Sequence, residues 1–186
     1  MKNNDLIGIF GPIVAFSGVL VSIFINRSWW SFTNNAISDM GRLGQPNNYV
    51  LDLSLIVGGA LMFYFAISIR RNMPNIIAYI GEYLFVISLF FLILIGAFPE
   101  GTYMHGIVSR AFFYLGTVAL LIMGSGLIMG KEVHYGLTIV LTMIIAVILG
   151  LITLSMFSGI AIPELVGGLT ISFSYYTLLW RDVQHK

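Results

Sequence analysis

The fold this sequence predicts is all-α: a bundle of six transmembrane helices with a long interfacial loop between the first and the second. Three observations predict it. Of 186 residues, 58% are hydrophobic and only 9% charged, where a soluble globular domain carries roughly 25% charged residues. Mean hydropathy is +0.94. Six mostly apolar runs follow one another along the chain, each near the ~20 residues that cross a ~30 Å hydrocarbon core.

The length suits a single integral membrane domain over residues 1–186, with no room for a soluble domain beside it. The first span covers about 6–25. Asn26-Arg27-Ser28-Trp29-Trp30 follows it instead of a small-residue cleavage site, so it reads as a retained helix and not a signal peptide. Residues 26–49 form the loop. Trp29 and Trp30 belong at the headgroup boundary, where an apolar ring with one N–H is at home. Ala36 to Met40 reads as a short interfacial helix ended by Gly41, or as loop folded back over the bundle.

The second span, about 50–69, carries Gly58-Gly59, small residues that let a neighbouring backbone approach. The third, about 76–98, contains Glu82. The fourth, about 105–130, contains Arg110 and ends in the small-residue face of Gly124, Gly126 and Gly130. The fifth, about 135–157, has no charge at all. The sixth, about 163–180, opens with Pro163, which suits a first helical position, and closes at Arg181.

Six spans leave both termini on one side, with Lys2, Arg70, Arg71, Lys131, Arg181 and Lys186. Arg27, Arg42 and Arg110 lie toward the other. The excess of positive charge predicts a multi-pass protein of the cell membrane with both termini cytoplasmic. On that topology Asp39, Asp52, Glu100, His105, Arg110 and Glu164 collect in the outward half, and Glu82 stands alone below the inward interface. A charge at a helix centre costs roughly 2.5–3.5 kcal/mol on insertion scales, so such residues call for a reason.

As chemistry, His105 is the candidate general acid or base, with Asp39 or Glu164 to orient its ring and Ser38 as a candidate nucleophile. Arg110, Glu100 and Asp52 form the candidate anion-binding or ion-pair set. As structure, Asp52 and Glu164 offset helix dipoles, Ser38 or Asp39 caps a short helix, and Arg110 pairs with Glu164, Asp39 or Glu100. His105 and Arg110 are five residues apart, which places them about 140° apart around a helix. They do not share a face if the helix already includes His105.

Several classes are excluded. A net charge of +1 without a Lys/Arg-rich run gives no nucleic-acid footprint. The absence of cysteine removes thiolate chemistry. No zinc-protease, nucleophile-elbow, P-loop or dinucleotide fingerprint occurs. With His134 and His185 on the inward side, the outward face has one histidine. No metal site is therefore expected, and a carboxylate-rich set would suit Mg²⁺, Ca²⁺ or Mn²⁺ better than Zn²⁺. Nothing in the sequence names a cofactor.

Asn35-Ala-Ile-Ser38-Asp39-Met-Gly41, Phe98-Pro99-Glu100-Gly101 with His105, and Pro163-Glu164 together resemble domain of unknown function 998, a family of small archaeal and bacterial membrane proteins. The resemblance spans nearly the whole chain in order and spacing. It implies a six-helix integral membrane protein and no particular activity. In the family pattern an arginine follows the last glutamate, where this chain has Leu165. Three functions stay open: an enzyme acting on a lipid or polyprenyl substrate at the outer leaflet, a structural or accessory subunit of a larger membrane complex, and a small transporter. The expected partners are membrane lipids and other membrane subunits.

Overall fold

The computed structural model describes residues 3–69 and 72–185, with side chains from residue 8 onward and none at 69. Lys2, Arg70, Arg71 and Lys186 of the charge tally lie outside the described residues. The described residues form six α-helices: α1 (Asn3–Asn26), α2 (Tyr49–Ile69), α3 (Ile76–Ala97), α4 (His105–Met129), α5 (Val133–Met156) and α6 (Ala161–Gln184). A single 3₁₀ turn, Ser38–Gly41, interrupts the long loop. No strand is present among the described residues.

Short connections make sequence neighbours antiparallel neighbours in space. α1 packs on α2, α2 on α3, α3 on α4, α4 on α5 and α5 on α6, while α6 touches α1 and α4 at few positions. Small residues set the closest approaches. A Cβ on Gly58 would come within 2.7 Å of the Gly11 carbonyl, and one on Gly126 would overlap the Ala78 backbone. Side chains of α2, α3, α4 and α6 interlock in the core, with Phe65, Phe85, Leu89, Leu120 and Tyr175 all essentially inaccessible.

Helices α1 to α5 are each long and apolar enough to cross a membrane, and the chain is a multi-pass membrane protein. α5 is only 17% buried over its span, against 39–44% for the other four, so most of its uncharged surface is left for lipid. α6 has the length, 24 residues or about 36 Å at the α-helical rise, but is less apolar than the rest. Its hydroxyls are satisfied inside the protein: Tyr175 donates to the Gly8 carbonyl at 3.0 Å and Tyr176 to the Ile9 carbonyl at 2.9 Å. Such bonds remove most of the cost of burying polar groups. α6 also continues past Trp180, because Arg181 and Asp182 are buried structural residues and not a solvated cap.

Candidate functional site

The loop between α1 and α2 is held to the bundle by bonds that follow from its sequence. Trp30 is buried, and its indole N–H donates to the Ala36 carbonyl at 2.7 Å. Trp29 donates to the Asn26 side chain at 3.1 Å and stays partly exposed. The α5–α6 turn reaches up to the loop: Gly159 N–H donates to Thr33 at 2.8 Å and Ala161 N–H to Asn35 at 2.9 Å. Only glycine fits at 159, because a Cβ would overlap the Asn35 backbone. On the other flank Leu43 N–H donates to the Glu100 carbonyl at 2.9 Å. The loop therefore lies across the ends of α4 and α6 as a lid.

Under that lid the charged residues form a chain. Asp39 accepts from Ala36 N–H at 2.8 Å and pairs with Arg42 at 2.7 Å. Arg42 reaches on to Glu100 at 3.5 Å, and Glu100 to His105 Nε2 at 3.3 Å. His105 Nδ1 stands 2.8 Å from the Phe98 carbonyl, to which it donates. Partial burial pushes the Asp39 carboxyl up, but the Arg42 guanidinium, the Ala36 N–H and the Asn35 amide outweigh it and hold its pKa below the usual value. The same pair raises Arg42.

Glu164 stands in the first turn of α6 and reaches 127 residues back: Oε2 accepts from Ile37 N–H at 2.6 Å. Asp52, in the first turn of α2, is buried under the lid with Oδ1 against Gly41, where a Cβ would come within 2.5 Å. Ser38 is the first residue of the 3₁₀ turn and Ile37 occupies its N-cap position, so neither Ser38 nor Asp39 stands where a capping side chain would.

Arg110 stands apart from this set. α4 begins at His105, which turns inward and is 5% exposed, while Arg110 lies on the exposed face of the same helix. Among the described residues Arg110 has no carboxylate within ion-pair distance. The cation that joins the loop-end carboxylates is Arg42. In the sequence it looked like one polar loop residue among several, because its partner Glu100 is 58 positions away. The triplet spacing of Asp39 and Arg42 is the one local signal that could have singled it out.

A cavity of about 100 Å³ lies directly beneath the lid, among α1, α2, α3, α4 and α6. Its walls are apolar, with Leu51, Leu55, Leu92 and Phe112 among them, and its polar edge consists of Ser38, His105, Ser109, Glu164 and Ser172. The half-buried Phe16, Leu165, Gly168 and Ser172 line it along the seam between α1 and α6. A second, larger hollow of about 660 Å³ opens on the other side of α6, between α4 and α5. The two share Ser109, Phe113 and Glu164 as a common wall. The Phe113 ring rests on Gly167, where a Cβ would come within 2.9 Å. Among the described residues no three His, Asp or Glu side chains converge as a metal would require.

At the opposite end of the bundle Glu82, which the sequence places alone below the inward interface, is fully buried in α3, and Arg181 of α6 is buried as well. Arg181, its side chain 2% exposed, forms a two-point ion pair with Glu132 through Nε and Nη2. It also donates to the Asn72 carbonyl at 2.6 Å, and the Asn72 amide donates to Asp182 at 2.8 Å.

The comparisons with known proteins bear on the whole chain. A family model described as a protein of unknown function, DUF998, matches residues 9–181. The chain belongs to the DUF998 family. The matched DUF998 region includes the lid, both cavities and the buried pair at the far end. No curated protein and no solved structure matches this DUF998 chain.

Proposed function

We propose that the protein binds a lipid-like molecule beneath the lid and acts on its polar end, with the lid facing outward and both termini in the cytoplasm. One observation carries the reading: an apolar cavity whose polar edge holds His105, Glu164 and Ser38. Buried apolar space beside a few convergent polar groups is the usual form of a small-molecule site. At about 100 Å³ the cavity is smaller than the ~150 Å³ engineered void that admits benzene, so it takes a short segment of chain. The rest of a chain leaves along the α1–α6 seam, where packing is sparse and the Phe16 ring lies over Gly168.

His105 is the proton donor or acceptor of this reading, held by Phe98 and Glu100 as a base is held by its orienting groups. Ser38 is the nucleophile or the headgroup ligand. Glu164 couples occupancy to the lid, because a ligand that takes its carboxylate releases Ile37. The reading is tested by purifying wild-type protein and Gly168→Phe in mild detergent and identifying co-purifying lipids by mass spectrometry. Membrane lipids of a deletion strain are profiled in parallel, with His105→Ala as the chemical variant. A bound species lost from Gly168→Phe, and a lipid that accumulates alike in the deletion and in His105→Ala, are expected. Equal lipid content in the two purified proteins, with an unchanged membrane profile, overturns it.

A second reading, that of a fastening or accessory subunit, has its own support. Both His105 ring nitrogens and the Glu164 carboxylate are engaged within the protein. Its signature is a stable partner that co-purifies from native membranes and is lost when Trp30 or Glu164 is replaced.

A further inference from the structure

The hollow between α4, α5 and α6 carries what the central cavity lacks, a cation without a counter-charge. Arg110 lines it and makes no ion pair or hydrogen bond among the described residues. The one carboxylate on its wall, Glu164, is committed to Ile37. The guanidinium folds back along α4 toward the lid, with Nη1 3.3 Å from where a Gly106 Cβ would stand. It sits about five residues, or some 7 Å, below the mouth of the helix. An arginine at that depth holds its head at the level of lipid phosphates while its stem lies along apolar surface.

Below it the walls are hydrocarbon-compatible. Tyr114, Val118, Val147, Leu151 and Leu154 line the groove, and Gly150 makes a flat place on α5 where a Cβ would meet nothing within 4 Å. About 660 Å³ falls in the ~300–1,000 Å³ range of small-molecule sites. An uncompensated cation above an apolar trough matches a molecule with an anionic head and a long chain. Phosphate suits the planar fork of arginine, which binds it through two parallel hydrogen bonds. The other carboxylates at this end are paired or covered by the lid, so no acidic group is left to receive the ammonium of a zwitterionic head.

We propose that this groove binds one anionic glycerophospholipid, with its phosphate on Arg110 and one acyl chain lying over Gly150. The site goes beyond the central-cavity reading and stands whether or not that cavity performs chemistry.

Native mass spectrometry of the full chain in micelles, titrated with phosphatidylglycerol or phosphatidylcholine, tests it. Wild type retains one phosphatidylglycerol about tenfold more tightly than phosphatidylcholine, a difference of about 1.4 kcal/mol. Arg110→Gln loses that preference. Gly150→Leu fills the trough without touching charge and loses both lipids, and Val147→Trp does the same by a second route should the first fold poorly. Glycerol 3-phosphate, the head without chains, does not displace the bound lipid. Equal retention of both lipids by wild type overturns the proposal, as does a groove-filled variant that folds and still retains phosphatidylglycerol. Loss of the lipid in Gly168→Phe but not in Gly150→Leu places it in the central cavity and overturns the groove site alone.

Discussion

The two ends of the bundle solve the same problem, charge beside hydrocarbon, in opposite ways. At the terminal end Arg181 and Glu132 form a two-point pair with side chains 2% and 16% exposed; Arg181 also donates to the Asn72 carbonyl, and the Asn72 amide donates to Asp182. At the lid end Arg42 is 46% exposed and bridges two carboxylates at 2.7 and 3.5 Å. The first arrangement is dry and closed. The second lies over a cavity and is strung through a loop tied down by single hydrogen bonds. The difference leaves the lid end with the more exposed, more loosely held pairs, and gives the terminal end a buried pair that ties the α4–α5 turn to α6.

The largest effect is expected where burial is deepest. Replacing one member of a buried ion pair leaves the other uncompensated, at a cost of about 3–5 kcal/mol. Glu132→Gln should therefore lower the thermal midpoint in detergent far more than any single change at the lid. Glu132→Leu combined with Arg181→Met should recover much of the loss. A Glu132→Gln protein as stable as wild type would remove the asymmetry between the ends.

Next come the ties of the lid. Glu164→Ala leaves the Ile37 N–H without its partner, a loss of about 1–3 kcal/mol, and Gly159→Ala pushes the α5–α6 turn off Asn35. Hydrogen exchange at residues 36–41 should accelerate in both while α3 and α4 keep wild-type protection. Acceleration spread evenly over the bundle would mean that the lid is not a separate unit.

Arg42→Ala removes a half-exposed pair of the kind worth about 0–1 kcal/mol, so its effect on stability is small and fades with salt. The smallest signal is in pH. Because the folded pKa of Asp39 lies below its unfolded value, its contribution is complete above the unfolded pKa, near 4. That contribution disappears as pH falls through the folded pKa. The stability difference between wild type and Asp39→Asn should shrink toward zero on acidification below about pH 4. A difference independent of pH from 7 to 2 would show that the Asp39 carboxylate is not ion-paired in solution.

Much of the fold was legible because bilayer physics writes it into composition. Uninterrupted apolar runs, the glycine faces near Gly58 and Gly126 and the bare α5 all report single-helix requirements, and each helix meets its requirement locally. The lid-end residues were legible as a group, since charge placed among apolar residues is conspicuous. Their partners were not. Arg110 looked like the cation of the set because it is embedded in a helix, while Arg42 looked solvated because it is in a loop. Chain folding reverses this by laying the loop over Glu100 and turning α4 outward at Arg110. Arg181 likewise read as a helix-ending charge until α6 ran on and carried it against Glu132.

Taken by itself, the sequence determined that this protein lives in a membrane as a six-helix bundle, and that one long polar loop must lie against it. The reason is that hydrophobic length and loop polarity are properties of contiguous residues. Only the tertiary structure decided which charges meet. It showed a cavity under the lid, a second hollow between α4, α5 and α6, and the driest ion pair at the opposite end. Pairing and cavity shape arise between helices distant in sequence, where side-chain direction and not residue type decides the outcome.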